Sequence, residues 1–324
     1  MHDTARKHLP AAALATALCG ALPAAADGPA VATTIQPVHS LIAGVTAGVT
    51  EPYQLVRGGQ SPHGYSLSPS DSRALHGADL VFAAGESVEG FLVRAAGSLD
   101  EDTRIVWLEE MDDVVLHEAR AGGAWEPHDH DHDHDHDDDS EHGHADDHDH
   151  DHGDIDSHLW LDPQNAIVLT ERAADKLAAL DPDNAERYRA NAEEQVTRLE
   201  ALVAELDGTL EAARERPYLV FHDAYQYFEQ RFDLAAAGSV TIDPERPPGA
   251  RRINELQQRI ATDDIACVFA EPQFEPRVIE TITEKTEVAV GQLDPLGAEI
   301  EPGPDAYFTL LRNLAADLEA CLAD

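Results

Sequence analysis

Short apolar runs alternate along the chain with stretches in which apolar residues recur every three or four positions. The runs have the length of buried β-strands, and the recurring spacing is typical of amphipathic helices. The predicted strands are 31–35, 54–56, 80–84 and 104–108 and, after a break, 218–221, 234–240, 265–270 and 288–293. Strand–helix alternation predicts parallel sheets with helices on both faces. Two such sets of strands predict an α/β protein with two lobes.

A long helical pattern lies between the two sets of strands. Asp181-Pro182 is a typical helix start, because proline is well tolerated at the first helical position, and the pattern continues to about residue 213. A helix of that length spans about 45 Å. We therefore expect each lobe to be a mostly parallel sheet flanked by helices, with one long rigid helix bridging the two. The expected domains are 27–163, a helical bridge over 164–214, and 215–324.

The N-terminus has the pattern of a secretory signal. Arg6 and Lys7 precede a short apolar run, which ends at an Ala-x-Ala site before Asp27. A membrane anchor would need about 20 apolar residues, and this run is shorter. We expect residues 1–26 to be a cleaved signal peptide and the mature protein to be periplasmic.

Charge changes the range of possible partners. The chain has 22 Lys and Arg against 63 Asp and Glu, a formal net charge of −41, and only three of its residues are lysines. Nucleic acids and anionic lipid surfaces are bound through a basic patch, so this balance argues against both. A surface this negative attracts cations.

Cysteine usage predicts one disulfide. Removal of Cys19 with the signal peptide leaves Cys267 and Cys321, and an even pair in an oxidising compartment is expected to be bonded. The alternative, a zinc–thiolate site, is disfavoured because neither cysteine has a second ligand at zinc-finger spacing.

A His/Asp-rich stretch interrupts the first lobe. Residues 128–152 contain ten histidines and twelve acidic residues, with no Leu, Ile, Val or aromatic residue, so we expect disorder over a loop 118–155. Imidazoles alternating with carboxylates can bind divalent metals weakly in many ways. The alternative is a solvated acidic linker. The candidate low-affinity ligands are His128, His130, His132, His134, His136, His142, His144, His148, His150 and His152.

A tight metal site needs ligands held on a scaffold. In open α/β sheets, ligands gather beyond the carboxyl ends of the strands. Four residues lie at or near such ends, two in each lobe, so we expect them to meet in the cleft between the lobes. For any single histidine, the alternative is a structural role in which its ring is hydrogen-bonded. The candidates are His63, His158, His222 and Asp294. The histidines interpreted as surface or structural residues are His39, His76 and His117.

Five motifs resemble those of the zinc-binding proteins (ZnuA-type) that serve bacterial ABC transporters. The resemblance runs from about residue 30 to the C-terminus, with the motifs in family order and an acidic His-rich insertion at the same place. The motifs are GQSPHGYSLSPS at 59–70, HLWLDP at 158–163, VFHDAY at 220–225, CVFAEPQF at 267–274 and LDPLG at 293–297.

The resemblance implies a single Zn²⁺ in the cleft, bound by three histidines. Its ligands would be His63, His158 and His222, with Asp294 or a water as the fourth. Pro62 stands where some zinc members have a glutamate ligand. At the position of His222, related manganese-binding proteins have a carboxylate. The imidazole found here suits zinc better than the harder manganese. The resemblance also implies the Cys267–Cys321 disulfide.

The function implied is zinc capture outside the inner membrane and delivery to an ABC permease with its ATPase. We expect a monomer with no enzymatic activity. Glu271 could orient a ligand from its strand end, or could instead have a capping or structural role. Two other functions stay open: an extracytoplasmic zinc buffer or adhesin, in which the His-rich loop is the working part, and a zinc hydrolase. A hydrolase needs an open coordination position beside a base, and no H-E-x-x-H motif is present.

Overall fold

The computed structural model describes residues 28–99, 104–120 and 155–323. The predicted signal peptide 1–26 and the histidines of 128–152 lie outside the described residues. Within the described ranges, no helix combines the length and the apolar character needed to cross a membrane.

The strands of the described chain form two four-stranded parallel sheets with the same topology. The first has the order β2-β1-β3-β4 and the second the order β6-β5-β7-β8. All eight predicted strands are present, which confirms the fold class. The strands are β1 Val31–Thr33, β2 Tyr53–Gln54, β3 Leu80–Ala83, β4 Arg104–Trp107, β5 Tyr218–His222, β6 Ala236–Thr241, β7 Cys267–Ala270 and β8 Ala289–Gln292.

Helices connect the strands and cover the sheets. Several begin at residues that the sequence marks as caps; Asp162, for example, accepts a hydrogen bond from the Gln164 N–H (2.8 Å) at the start of α4. The helices in the described ranges are α1 Gln36–Val45, α2 Pro69–His76, α3 Gly90–Ala96, α4 Pro163–Leu180, α5 Ala185–Thr209, α6 Gln226–Phe232, α7 Ala250–Thr262, α8 Arg277–Thr283 and α9 Ala306–Leu322.

The central strands of both sheets are buried on their two faces. In the first lobe, Val81 and Phe82 of β3 point to opposite faces and are both fully buried. In the second lobe, Leu219 and Val268 pack in a separate apolar cluster with Leu256 of α7. Burial on both faces explains why the strands are continuous apolar runs rather than alternating patterns.

The predicted bridging helix is α5, which has 25 residues and is therefore about 37 Å long. It is shorter than the predicted helix, because the ends of the pattern form separate 3-10 turns at Pro182–Asn184 and Glu211–Ala213. From α5, Asn191 Nδ2 donates to the Val45 carbonyl at the end of α1 (2.9 Å). Further along, Glu205 pairs with Arg312 of α9 (2.8 Å). The helix thus contacts both lobes.

The lobes also contact each other directly below the cleft. Trp160 Nε1 donates to the Pro295 carbonyl (2.8 Å), and the Tyr307 hydroxyl donates to the Trp160 carbonyl (2.7 Å). These bonds join the segment that carries His158 to the second lobe. The floor of the cleft is therefore built from both halves of the chain.

A partly buried ion network and hydrogen bonds to Tyr227 tie the chain on both sides of residues 121–154 to the second lobe. Arg120 pairs with Asp223, which follows β5, and with Glu229 of α6 (2.8 Å). The Tyr227 hydroxyl of α6 accepts from the His117 N–H (3.0 Å) and donates to the Asp156 carbonyl (2.7 Å). The segments that lead into and out of 121–154 are thus held against α6.

The predicted disulfide is confirmed. Cys267 at the start of β7 is bonded to Cys321 near the end of α9, closing a separation of 54 residues. The bond fixes the C-terminal helix to the second sheet.

Candidate metal centre

Three histidines from distant parts of the chain meet in the cleft. His63 lies in the loop between β2 and α2, His158 directly precedes a 3-10 turn before α4, and His222 is the last residue of β5. Their ring centroids are 5.3–5.5 Å apart, and one nitrogen of each ring lies within 4.8 Å of the others. In the described ranges, these three residues form the single group of His, Cys, Asp or Glu close enough together to hold a metal ion.

The loop that carries His63 is held by its flanks. Ser68 and Asp71 form a capping box at the start of α2, with each side chain accepting the other's backbone N–H. The Tyr65 hydroxyl lies 2.9 Å from both the Leu55 carbonyl oxygen and Asp71 Oδ2. A short loop pinned on both sides keeps the half-buried His63 ring in place.

Two buried carboxylates orient the other two rings. Asp156 Oδ1 lies 2.7 Å from His158 Nδ1, and Glu271 Oε1 lies 2.7 Å from His222 Nδ1. Because an ionised carboxylate only accepts, each Nδ1 carries the proton that it donates. The two Nε2 atoms are buried and have no hydrogen-bond partner in the described chain. Each is therefore a free lone pair aimed at the pocket, as in carboxylate–histidine–zinc sites.

Electrostatics differ between the rings. Burial, together with the nearby rings of His158 and His222, holds the pKa of His63 well below its usual value. Burial would also lower the pKa of His222, but the Glu271 carboxylate outweighs it and raises that pKa. His63 therefore stays neutral at physiological pH, whereas protons compete with a metal for His222.

The donor set fits zinc. Zinc bound tetrahedrally at about 2.05 Å by imidazoles needs nitrogens about 3.3 Å apart. The nitrogens of His63, His158 and His222 need to approach by no more than about 1.5 Å to reach that spacing, since they already lie within 4.8 Å. Neutral imidazoles suit zinc better than the harder cations, which prefer oxygen ligands.

Asp294, the fourth predicted ligand, lies two residues after β8 and outside the histidine group. Its Oδ1 accepts from the N–H groups of Leu296 (3.0 Å) and Gly297 (2.9 Å), and its Oδ2 from that of Ala298 (2.5 Å). The amide of Gln273 donates to Oδ1 as well (2.7 Å). The structure thus brings together the three histidines and places the aspartate in a hydrogen-bonded turn beside them.

The other three histidines of the described ranges have separate surroundings. The His39 ring contacts Thr33 Oγ1 (3.1 Å), His76 Nδ1 contacts the Ser72 carbonyl (2.7 Å), and the His117 ring packs on Tyr227. None of them belongs to the metal-binding group.

Asp156 is the functional residue that the sequence analysis did not identify. The available signal was an acidic residue two positions before a candidate ligand, in Asp156-Ser157-His158. For Glu271, the sequence left an orienting role and a structural role open, and its contact with His222 favours the orienting role.

Comparisons with known proteins agree over nearly the whole chain. A family model, ZnuA, described as the periplasmic zinc-uptake complex component A, matches residues 31–321. The high-affinity zinc uptake system protein ZnuA of Brucella suis is 43% identical over 325 residues, 97% of each chain. The protein of the same name from Yersinia pestis is 34% identical over 317 residues, 98% of each chain. A crystal structure of ZnuA, 22% identical, is similar in fold with a TM-score of 0.72, covering 91% of this chain and all of that one.

Proposed function

The chain belongs to the ZnuA family of periplasmic zinc-uptake components, and on that basis we propose that it captures one zinc ion between its lobes for delivery to an ABC permease. The resemblance inferred from the five sequence motifs is thereby confirmed. The proposed ligands are Nε2 of His158, Nε2 of His222 and a ring nitrogen of His63. The observation that carries the proposal is the pair of buried, unpartnered Nε2 atoms aimed at a common pocket that His63 also lines.

The two orienting carboxylates make the site ready for a cation. Each Nδ1–H···carboxylate bond fixes the tautomer whose Nε2 lone pair faces the pocket. The carboxylates of Asp156 and Glu271 also place negative charge behind the rings, which favours a divalent cation among them. Two of the three rings are thus already oriented, and zinc binding requires their convergence with the ring of His63.

Capture without catalysis fits the surroundings of the pocket. A zinc hydrolase needs a general base beside an open coordination position. In the described chain, the two carboxylates nearest the ligands, Asp156 and Glu271, are each engaged by a ligand histidine. The bonded oxygen of each carboxylate holds a ligand ring in place, which is a positioning role, and we therefore propose transport rather than hydrolysis.

Delivery requires a membrane partner outside this chain. The relatives named as high-affinity zinc uptake system proteins support an inner-membrane permease with its ATPase as that partner. We further propose that the histidines of 128–152 collect zinc weakly and that the cleft holds the tight site.

Competition titration against a zinc chelator tests this assignment on the full chain. His63→Ala and His222→Ala should each abolish the one tight site, while His76→Ala, which changes an exposed histidine outside the group, should keep it. Deleting 128–152 should remove only weak binding. Loss of tight binding on that deletion, with the His63→Ala protein unaffected, would instead identify a zinc buffer in which that segment is the working part.

A further inference from the structure

Besides the three histidines and Glu271, the lining of the metal pocket includes the polar side chains of Ser61 and Gln273, and metal binding by the histidines explains neither. Gln273, three residues after the end of β7, lines the pocket between Glu271 and Phe274. Its Oε1 is buried and has no hydrogen-bond partner in the described chain. A buried amide oxygen without a partner is costly. Such an oxygen in the wall of a binding pocket indicates a donor that arrives with the ligand.

The direction of the Gln273 amide is fixed by Asp294. Gln273 Nε2 donates to Asp294 Oδ1 at 2.7 Å. Flipping the amide would place its oxygen against the carboxylate, and two acceptors cannot form a hydrogen bond. The nitrogen therefore faces Asp294, and the oxygen is the end of the amide left without a partner.

The lone pairs of Asp294 are already used. An ionised carboxylate offers about four acceptor sites. Three backbone N–H groups, those of residues 296–298, and the Gln273 amide supply four donors to Asp294. A zinc ion would have to displace one of these donors to bind Asp294 directly.

We propose that Gln273 is a positioning residue of the zinc site, whose Oε1 accepts a hydrogen bond from a water in the fourth coordination position. This inference rests on the proposed function, since it requires zinc on three histidines. Three imidazoles leave one position of a tetrahedral zinc ion for a water. The O–H groups of that water need acceptors, and the buried, unpartnered Oε1 of Gln273 is an acceptor only. Asp294 then acts through Gln273 and not as a ligand.

A neutral acceptor also suits a cargo site. A direct carboxylate ligand would add Coulomb attraction to the ion and slow its release. A water held by an amide completes the coordination without that added charge, and it leaves easily when the permease takes the ion. Gln273 therefore adjusts zinc retention without fixing the ion permanently.

The test uses the full chain loaded with one equivalent of Co²⁺ as a spectroscopic substitute for zinc, and azide as the probe of the fourth position. Azide displaces a bound water, so it should change the visible spectrum of the wild-type protein. Gln273→Leu removes the acceptor, so azide should bind this variant several-fold more tightly, and zinc affinity should fall about 10-fold. Gln258→Leu, at an exposed position of α7, is the matched control and should change neither.

A double-mutant comparison separates the roles of the two residues. Asp294→Asn should weaken zinc binding in the wild-type protein and have no further effect in the Gln273→Leu background, because both changes act through one hydrogen bond. Equal losses in both backgrounds, with a wild-type spectrum insensitive to azide, would make Asp294 the ligand and overturn the inference. Wild-type zinc and azide binding by Gln273→Leu would overturn it as well.

Failure of the proposed function gives a different result. His63→Ala should lose the tetrahedral Co²⁺ spectrum if the three histidines hold the metal. An unchanged spectrum in His63→Ala would reject the histidine site itself. If His63→Ala loses the spectrum but Gln273→Leu binds zinc and azide as the wild type does, only the role of Gln273 is rejected.

Discussion

Replacing Glu271 by glutamine should weaken zinc binding by a factor that itself depends on pH. Glu271 Oε1 lies 2.7 Å from His222 Nδ1, and both side chains are buried. Glutamine preserves the size of the side chain and can still accept from Nδ1–H, so the change removes mainly the negative charge. His222 then becomes a poorer electron donor to the metal.

The expected size follows from the position of the carboxylate behind a ligand. Changes to such partners cost about 10–100-fold in metal affinity. With tenfold equal to about 1.4 kcal/mol, the loss is about 1.4–2.8 kcal/mol of binding free energy. This full loss applies at a pH above the raised pKa of His222, where the ring is neutral in both proteins.

At lower pH the loss should shrink. Burial lowers the pKa of His222, but the charge of Glu271 raises it above its usual value. As pH falls through that raised pKa, protons compete with zinc in the wild type first. The variant keeps the burial and loses the carboxylate, so its ring protonates at lower pH. The wild type thus loses more of its affinity than the variant does.

Chelator competition at one equivalent of zinc, from pH 8 to pH 5.5, measures the ratio of the two affinities. Glu194→Gln, an exposed change on α5, is the control and should give a ratio near one throughout. An unchanged affinity for Glu271→Gln at pH 8 would refute the orienting role. A ratio that stays constant or widens as the pH falls would refute the electrostatic coupling between Glu271 and His222.

Three further predictions concern stability, each measured by urea unfolding. Arg120→Met removes the cation paired with the buried Glu229 and the partly buried Asp223, and it should lower the free energy of unfolding by about 3–5 kcal/mol. Arg172→Met, at an exposed ion pair, should cost about 0–1 kcal/mol, and equal losses would contradict the burial argument. Changing Cys267 and Cys321 to serine opens a 54-residue loop and should cost about 4 kcal/mol by the chain-entropy model, and the reduced wild type should unfold at the same urea concentration as this variant. Burial raises the pKa of Glu89 from 4.5 to about 8, so the wild type should lose stability as pH rises through that range while Glu89→Gln does not; parallel pH profiles would contradict this assignment.

The fold could be predicted because its central strands are buried on both faces. Such strands are continuous apolar runs that stand out from the helical pattern. The first and last residues of a helix or strand were less predictable where a residue at the boundary hydrogen-bonds to the neighbouring element. Leu234 was predicted to begin a strand, but its N–H donates to the Glu229 carbonyl and completes the end of α6 (2.9 Å). The strand therefore begins at Ala236.

The candidate site was predictable in its residue types and less so in its contacts. His222 follows an apolar strand, and His158 precedes a recognisable helix start, so each signal was local. The roles of Asp156 and Gln273 depend on which atom of a side chain faces the pocket. Gln273 receives its orientation from Asp294 on a neighbouring connection, and no spacing in the sequence specifies that hydrogen bond.

Anomalous diffraction at the zinc edge, from crystals of the protein loaded with one equivalent of zinc, tests the central assignment most directly. We expect one strong peak about 2.0–2.1 Å from a ring nitrogen of each of His63, His158 and His222. A peak bound by fewer than three of these rings, or located away from the cleft, would contradict it.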